Sequence, residues 1–378
     1  MNLTERSTNI VRELIKIKSL TYQEKDAAEW VANFLVNLGF DTRIDSSNNV
    51  IGELKGKKSY PRILLLGHHD TVEEGNSSLW KYPPFSGHIV NGELWGRGAV
   101  DEKGGLGCAL ASIEKLIRDD HAQLYGDILF ISTREETSEI ATRGIKKILE
   151  QGIKADYCIV LEPTELGIVL GHKGRIVLEI STYGKAAHTG VPWKGVNAIN
   201  HMAAIILELE KMSLPNRNPL GQGTQSIGII KGGVRSNTVC DKCTIEMDRR
   251  IISEETPETV YNEISKTIAS LSKKIPNLKY EINIKTAFYP SYIKNDAEIA
   301  KLAKISFKES GLSPNVYYAT FHTDGEWIVN DAKIPAIVFG PGSIKLAHSI
   351  DERVSISDLG KAAEFYYRIL KKNIFRED

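Results

Sequence analysis

The sequence shows no excess of charge of either sign. Its 48 Lys and Arg residues balance 48 Asp and Glu residues, so the formal net charge is zero. Proteins whose main partner is a nucleic acid or an anionic membrane usually carry a basic excess, because the partner's phosphate groups are bound by cations. The balance therefore argues against both partners.

Long apolar runs are also missing. Residues 1–20 have the spacing of an amphipathic helix with Glu, Arg and Lys scattered through it, whereas a signal peptide has an uninterrupted apolar stretch. No segment approaches the roughly 20 apolar residues of a transmembrane helix. We therefore expect a cytoplasmic protein.

Cysteine is scarce, with four residues in 378, which excludes a disulfide scaffold. Cys240 and Cys243 form a C-x-x-C, but no second pair accompanies them. They fall in a predicted strand, where residues three apart point to opposite faces. We expect four reduced structural thiols rather than a zinc or redox site.

Four short apolar runs, separated by segments of helical periodicity, are the main signal for the fold. These runs are Ile63–Leu66, Ile128–Ile131, Tyr157–Leu161 and Ala336–Phe339. Runs of this kind are typical of parallel strands covered on both faces. We predict one α/β core with a mostly parallel sheet, formed by residues 1–172 and 289–378.

Residues 173–288 have a different rhythm. Alternating strands and amphipathic helices follow the order β-α-β-β-α-β, which is that of a ferredoxin-like unit. Its segments are Gly174–Tyr183, Val196–Met212, Gln225–Lys231, Val239–Ile252, Pro257–Ser272 and Lys279–Ala287. We predict an α+β domain inserted into the core.

Residues that can bind metals follow each of the four core runs. They are His68 and Asp70, Glu135 and Glu136, Glu162, and His348, while Asp101 lies in a Gly-rich loop before a helix. Each is weak alone, because H-x-D, paired Glu and lone His are common by chance. Ligands of open α/β sheets bind beyond the carboxyl ends of the strands. Together, these residues predict a site for two divalent cations, since imidazole and carboxylate suit zinc and one carboxylate can bridge two ions.

The segments GHHDTV, GRGAVDEKGG, REE, LEPT, AAHTGVP and AHSIDE resemble the co-catalytic zinc peptidases and amidohydrolases. That family includes acetylornithine deacetylase, succinyl-diaminopimelate desuccinylase, aminoacylase and glutamate carboxypeptidase. The resemblance extends over nearly the whole chain. It implies a zinc-peptidase-like core, a lid that also mediates dimerisation, and two Zn²⁺ per subunit, with Co²⁺ as a possible substitute.

The resemblance also implies a role for each metal-site residue. His68 and Glu162 would bind one zinc, Glu136 and His348 the other, and Asp101 would bridge both. Asp70 would orient the His68 imidazole, and Glu135 would be the general base.

Three residues of the inserted segment are implied to contact substrate. His188 would donate to the oxyanion, often across a dimer interface, although a structural turn histidine is an equal alternative. Asn237 and Arg250 would bind a substrate carboxylate, with Arg249 or Arg235 as alternatives. The helix face around Ile199, Ala203 and Ile206 offers a surface for a homodimer, or covers the lid's own sheet.

Two features depart from the family pattern. Glu73-Glu74 stands where Pro is common, and Phe321–Glu326 replaces a Gly-Thr-Asp-type loop, so His322 is a possible substrate contact. We nevertheless assign His322 to structure or surface, together with the remaining histidines His69, His88, His121, His172 and His201.

Three functions remain open. The first is an amidohydrolase acting on an N-acyl amino acid, with a dipeptidase or carboxypeptidase for short peptides as the close alternative. The second is a non-catalytic scaffold that binds amino acids or peptides. The absence of a metal ligand or of the general base would have favoured it, but all five implied ligands and Glu135 are present. The third is a serine hydrolase, but the chain has no G-x-S-x-G.

Overall fold

The computed structural model describes residues 1–120, 124–137, 143–217, 219–313 and 315–374. The chain divides into two compact units. The core unit contains Met1–Gly171, Tyr292–Tyr318 and Thr323–Asp378, and the lid unit contains His172–Ser291 and Ala319–His322. The domain bounds expected from the sequence differ from this division at their ends, and they place 319–322 in the core.

Nine α-helices are found in the described residues. They are α1 (Leu3–Lys16), α2 (Lys25–Asn37), α3 (Lys103–Glu114), α4 (Arg143–Glu150), α5 (Ala198–Leu209), α6 (Pro257–Ser272), α7 (Glu298–Glu309), α8 (Gly325–Asn330) and α9 (Ile356–Asn373).

Eighteen strands accompany them in the same described ranges. They are β1 (Asp41–Ile44), β2 (Val50–Leu54), β3 (Arg62–His68), β4 (His88–Val90), β5 (Glu93–Trp95), β6 (Asp127–Thr133), β7 (Tyr157–Val160), β8 (Ile168–His172), β9 (Gly174–Tyr183), β10 (Asn216–Arg217), β11 (Gly221–Gln222), β12 (Thr224–Gly232), β13 (Lys242–Ile251), β14 (Lys279–Phe288), β15 (Ser291–Tyr292), β16 (Val316–Ala319), β17 (Ala336–Val338) and β18 (Arg353–Ser355).

The core sheet has the strand order β1-β2-β6-β3-β7-β17-β8-β15, and β16 also pairs with β8. Its centre is parallel: β3 pairs in parallel with β6 and β7, and β17 pairs in parallel with β7. Every residue of β6 and β7 is buried, which requires cover on both faces of the sheet. The predicted α/β core with a mostly parallel sheet is confirmed.

The parallel centre determines where the site forms. The four central strands β6, β3, β7 and β17 run in one direction, so their carboxyl ends meet at one edge of the sheet. These are the four strands that the short apolar runs predicted. The segments that follow them are therefore brought close together.

The lid unit has a four-stranded antiparallel sheet of order β12-β13-β9-β14. Helices α5 and α6 join these strands in the order β-α-β-β-α-β, which confirms the ferredoxin-like architecture. Residues of α5 and α6 share a buried apolar cluster with β9 and β13. On the opposite face, β13 carries polar and charged side chains, which are Lys242, Thr244, Glu246, Asp248 and Arg250.

The outer face of α5 differs in one position from the predicted apolar surface. Ile199 and Ala203 are exposed, but Ile206 is only partly exposed and packs against the lid's own apolar cluster. Leu207 is 65% exposed and continues the row instead. The exposed row is therefore 199, 203 and 207, with the four-residue spacing of one helix face.

No helix in the described ranges combines the length and the apolar character that crossing a lipid bilayer requires.

Candidate metal and catalytic site

His68 is the last residue of β3 and lies at the centre of a buried polar cluster. Its Nδ1 lies 3.1 Å from the Asp70 carbonyl oxygen and 3.3 Å from Asp70 Oδ1. A proton on Nδ1 satisfies these oxygens and leaves the lone pair of Nε2 free for a metal ion. Nε2 faces three carboxylates, at 2.9 Å from Asp101, 3.7 Å from Glu162 and 3.8 Å from Glu136.

Asp101 lies between two imidazoles. Its Oδ1 is 2.9 Å from His68 Nε2, and its Oδ2 is 2.9 Å from His348 Nε2. Burial alone would favour the neutral acid, but the adjacent His348 and His68 rings hold the pKa of Asp101 well below its usual range. The carboxylate therefore offers one oxygen beside each histidine, as a bridging ligand must.

Two further carboxylates enter from the ends of β6 and β7. Burial, followed by repulsion from Glu162, raises the pKa of Glu136 well above its ordinary value. Burial and the charges of Asp101 and Glu102 do the same for Glu162. Crowded buried carboxylates whose pKa values rise in this way can all ionise when cations are bound among them.

The turn after β6 places two glutamates side by side. Glu135 has φ of 57°, a left-handed conformation that is uncommon for residues other than glycine and is found at functional sites. Its side chain is buried and contacts the Arg134 guanidinium. The Glu136 and Thr137 amides both donate to the Asp70 carboxylate, each at 3.2 Å.

Asp70 therefore has two structural roles. It accepts from the turn that carries Glu135 and Glu136, and it contacts the His68 ring. Burial opposes its ionisation, but the hydrogen bond with His68 and that from Thr137 lower the pKa of Asp70 to about 2. The Asp70 carboxylate thus connects the segments of the site that follow β3 and β6.

Glu352, which is fully buried, supports the Asp101 loop. It accepts from the amides of Val100 and Asp101 at 2.8 and 3.1 Å, and from Arg97 Nη1 at 2.6 Å. Arg97 also donates to the Ser349 carbonyl at 3.1 Å, next to His348. The Arg97–Glu352 pair thus joins the loops of two predicted metal ligands.

The lid unit contains the predicted substrate residues. His188 and Asn237 are both exposed and lie on adjacent segments, since the Thr189 amide donates to the Asn237 carbonyl at 3.2 Å. The Gly190 amide donates to His188 Nδ1 at 3.0 Å, which is a turn contact.

Arg250 lies elsewhere in the lid unit. Asn237 precedes β13, whereas Arg250 is near the far end of that ten-residue strand, about 27 Å along it at 3.4 Å per residue. The expectation that the two act together on one carboxylate is therefore not met within a single chain. Arg249 is 1% exposed and is paired with Glu255. It is therefore a structural residue rather than an alternative residue for binding the substrate carboxylate.

Residues 64–372 match peptidase family M20/M25/M40. The chain belongs to this family. Among curated relatives, the N-formyl-4-amino-5-aminomethyl-2-methylpyrimidine deformylase of Bacillus subtilis (strain 168) is 30% identical over 368 residues, covering 87% of this chain and 85% of the relative. The succinyl-diaminopimelate desuccinylase of Rickettsia bellii (strain OSU 85-389) is 28% identical over 388 residues, covering 97% and 96%.

Solved M20 structures share the fold. A tripeptidase from Staphylococcus aureus superposes with a TM-score of 0.83 at 24% identity, covering 98% of both chains. A dinuclear metal-binding peptidase of the M20 family from Bacillus subtilis has a TM-score of 0.74 at 17% identity, covering 97% of both chains. The family match and the curated relatives show that this M20 chain is a metal-dependent hydrolase of the amidohydrolase and peptidase type.

The donor atoms of this M20 site fit a metal ion. One ligand atom from each of His68, Asp101 and Glu162 lies within 4.8 Å of the others. Two ligands held about 2.0–2.1 Å from one zinc ion at a tetrahedral angle lie about 3.3 Å apart, close to the observed separations. Glu102 Oε2 is buried without a hydrogen-bond partner in the described residues, so this cluster also contains an acceptor that the protein leaves unsatisfied.

Several residues that surround the M20 site were not predicted. Glu102 accepts from the His68 amide, and Asp324 accepts from Thr133 Oγ1 at 3.2 Å. Burial raises the pKa of Asp324 to about 7. Glu102 and Glu352 belong to segments that resemble the family, and Asp324 belongs to the loop Phe321–Glu326 that departs from the family pattern. The sequence could therefore indicate that these residues lie near the site, but it could not predict their contacts.

The histidines assigned to structure are mostly buried or engaged. His69 contacts Ser132, and burial lowers its pKa to about 4. His88 stacks on Tyr82 at 4.0 Å. His172 and His322 form an edge contact at 5.2 Å, and His121 lies outside the described residues.

Proposed function

We propose that the chain is a two-zinc amidohydrolase that cleaves the amide bond of an N-acyl amino acid. The observation that carries this proposal is the buried Asp101 carboxylate, with one oxygen 2.9 Å from each of His68 and His348. A zinc pair supplies Lewis acidity, lowering the pKa of water and stabilising charge on the carbonyl oxygen. His68 and Glu162 would hold one ion, Glu136 and His348 the other, and Co²⁺ is a possible substitute.

Glu135 is the proposed general base. It neighbours the proposed ligand Glu136 in the chain without belonging to the proposed ligand set, its backbone is left-handed, and its side chain is buried. In this role, Glu135 removes a proton from the attacking water and delivers it to the nitrogen that leaves. Arg134, in contact with Glu135, keeps the carboxylate oriented.

The relatives support an N-acyl group as the part removed. A deformylase and a desuccinylase both release an acyl group from nitrogen, and they match most of this chain at 30% and 28% identity. Hydrolysis of short peptides is the alternative function. We retain it because the fold is similar to that of a tripeptidase. Arg250 is the proposed reader of the substrate carboxylate, because a guanidinium binds a carboxylate bidentately.

Replacing Glu135 and Glu136 separately by glutamine tests the assignment. Glu135→Gln should keep two zinc ions per chain and lose 10²–10⁴-fold in kcat, as is typical for loss of a general base. Glu136→Gln should instead lose zinc. Substrates would be N-acetyl and N-succinyl amino acids and dipeptides, and metal content would be measured by atomic emission. Near-normal turnover by Glu135→Gln, or full activity after chelation, would refute the mechanism.

A homodimer formed through the lid is also proposed. Strand β12 lies at an edge of the lid sheet, with Ile230 57% exposed and, in the following turn, Val234 89% exposed. Leu207 of α5 is 65% exposed. An edge strand can pair with another chain, and exposed apolar side chains grouped on a surface mark interaction sites. In such a dimer, His188 and Asn237 would be able to serve the partner's site, with His188 as an oxyanion donor.

The proposed compartment is the cytoplasm. The four cysteines are free and buried, which agrees with a reducing environment.

A further inference from the structure

Two arginines of the lid unit share one carboxylate. Arg175 Nε donates to Asp248 Oδ2 at 2.6 Å, and Arg250 Nε donates to Asp248 Oδ1 at 2.9 Å. Arg175 and Arg250 are direct partners across β9 and β13, so both project from the same face of the sheet. The odd-numbered residues of β13, from 243 to 251, are buried, so this is the face away from the apolar cluster.

Both guanidinium groups keep free donors. Among the described residues, the terminal nitrogens of Arg175 donate to no protein acceptor. Arg250 adds only a long contact from Nη1 to the Thr320 carbonyl at 3.4 Å. The two side chains are 37% and 30% exposed. Anchoring through Nε holds each planar guanidinium group and leaves terminal N–H groups available, an arrangement preorganised for an anion.

The cluster formed by Arg175, Arg250 and Asp248 carries more positive than negative charge. Lys173 adds a third cation, and burial followed by the charge of Arg250 lowers its pKa. Burial, with the charges of Arg250 and Arg175, also lowers the pKa of His322 to about 3, so this ring is neutral at physiological pH. Within the described ranges, Asp248 is the single anion that pairs with the two arginines. An anionic ligand would neutralise the remaining positive charge.

The geometry points to a subsite in which Arg175 binds a second substrate carboxylate. This subsite lies beside the one in which Arg250 binds the first carboxylate. This inference rests on the proposed function and narrows its substrate class to amides that carry two carboxylates. Residues directly opposite on antiparallel strands have Cβ atoms about 4.5–5.5 Å apart, so one small diacid can reach both forks. The second carboxylate can end the acyl group or belong to the amino-acid side chain.

Kinetics with three matched amides would test the subsite and locate the second acid. N-acetylalanine carries one carboxylate, N-succinylalanine carries the second on the acyl group, and N-acetylglutamate carries it on the side chain. The wild-type enzyme should have the lowest KM for one of the two diacids, and the preferred diacid identifies the source. Arg175→Ala should raise KM for that diacid at least about tenfold, the loss expected for a charged hydrogen bond, and change KM for N-acetylalanine by less than about twofold.

Lys279→Ala is the matched control. It removes one exposed positive charge from the same sheet, but Lys279 pairs with Tyr183 at the opposite end of β9 from Arg175. Its KM values should equal those of the wild-type enzyme. An equal rise for mono- and diacids in Arg175→Ala would overturn the proposal, because Arg175 would then only hold Asp248 and Arg250 in place.

A binding measurement separates this inference from the hydrolase proposal. Glutarate and butyrate would be titrated calorimetrically into chelator-treated protein, so that neither zinc nor turnover contributes. Wild-type protein should bind glutarate at least about tenfold more tightly than butyrate, and Arg175→Ala should lose that difference. Equal binding of the two acids by the wild-type protein would refute the subsite. Selective glutarate binding by a protein that hydrolyses no amide would refute only the proposed function.

Discussion

Replacing Glu352 by alanine should lower the free energy of unfolding of the metal-free protein by about 3–5 kcal/mol, the cost of removing one partner of a buried ion pair. The substitution leaves Arg97, which is 2% exposed, without its carboxylate. It also removes the acceptor of the Val100 and Asp101 amides. Arg97 keeps its bonds to the Ser349 and Glu73 carbonyls, which places the expected loss towards the lower end of that range.

Urea unfolding after dialysis against a chelator would measure this loss without any contribution from bound metal. Glu352→Gln should cost less than Glu352→Ala, because an amide oxygen still accepts hydrogen bonds while the charge is lost. Glu93→Ala is the matched control: Glu93 pairs with Arg353 at 3.1 Å, but both side chains are exposed by 37% and 31%. Such a surface pair contributes about 0–1 kcal/mol.

Zinc affinity provides a second readout. Because Glu352 holds the amide of the proposed bridging ligand Asp101, both Glu352 variants should bind zinc about 10–100-fold more weakly, as substitutions of residues that orient ligands do. Competition with a fluorescent chelator would measure this. The reasoning fails if Glu352→Ala is no less stable than Glu93→Ala and retains wild-type zinc affinity.

Three other expectations follow from the described contacts. Asp101→Ala should lose both zinc ions, whereas His348→Ala should lose one, as measured by atomic emission; one ion retained by Asp101→Ala would exclude a bridge. His322 has a folded pKa of about 3 against about 6.5 when unfolded, so the unfolded state binds more protons between these values and stability falls as pH is lowered through this window. Relative to His322→Phe, the wild-type protein should lose about 2 kcal/mol between pH 6.5 and 5, and identical urea midpoint shifts would contradict this. Ile230→Lys should convert a dimer to a monomer in light scattering, and a monomeric wild-type protein would refute the lid interface.

The parallel core could be predicted because it has a strong local signal. Strands buried on both faces produce short, continuous apolar runs, and the polar residues that follow such runs must meet at one edge of the sheet. His68, Glu162 and Glu136 were found in this way. The predicted meeting of these side chains is observed, with separations of 3.7 and 3.8 Å from His68 Nε2.

Contacts between distant loops had no such signal. Glu352 lies 251 residues from Asp101, and Asp324 lies 191 residues from Thr133. No periodic pattern connects residues so far apart in the chain. The sequence therefore shows only that these carboxylates belong to polar segments. Their function depends on three-dimensional proximity that local patterns do not encode.

The strand arginines show an intermediate case. Cys243, Ile245, Met247 and Ile251 alternate along β13, and this period of two places Arg249 on their buried face and Arg250 on the other. That distinction could have been made from the sequence. The sharing of Asp248 with Arg175 could not, because it depends on the register between β9 and β13.

The four residues Ala319–His322 affect how the lid could be studied as an autonomous protein. His322 stacks on Phe288 at 4.0 Å, and the Lys173 amide donates to the Ala319 carbonyl at 3.2 Å. A recombinant fragment that spans only 172–291 would therefore lack a strap that covers an aromatic ring and completes the surroundings of Arg250. Grafting 319–322 to the end of such a fragment through a flexible linker would restore the missing strap, and domain exchange between relatives would have to transfer both segments together.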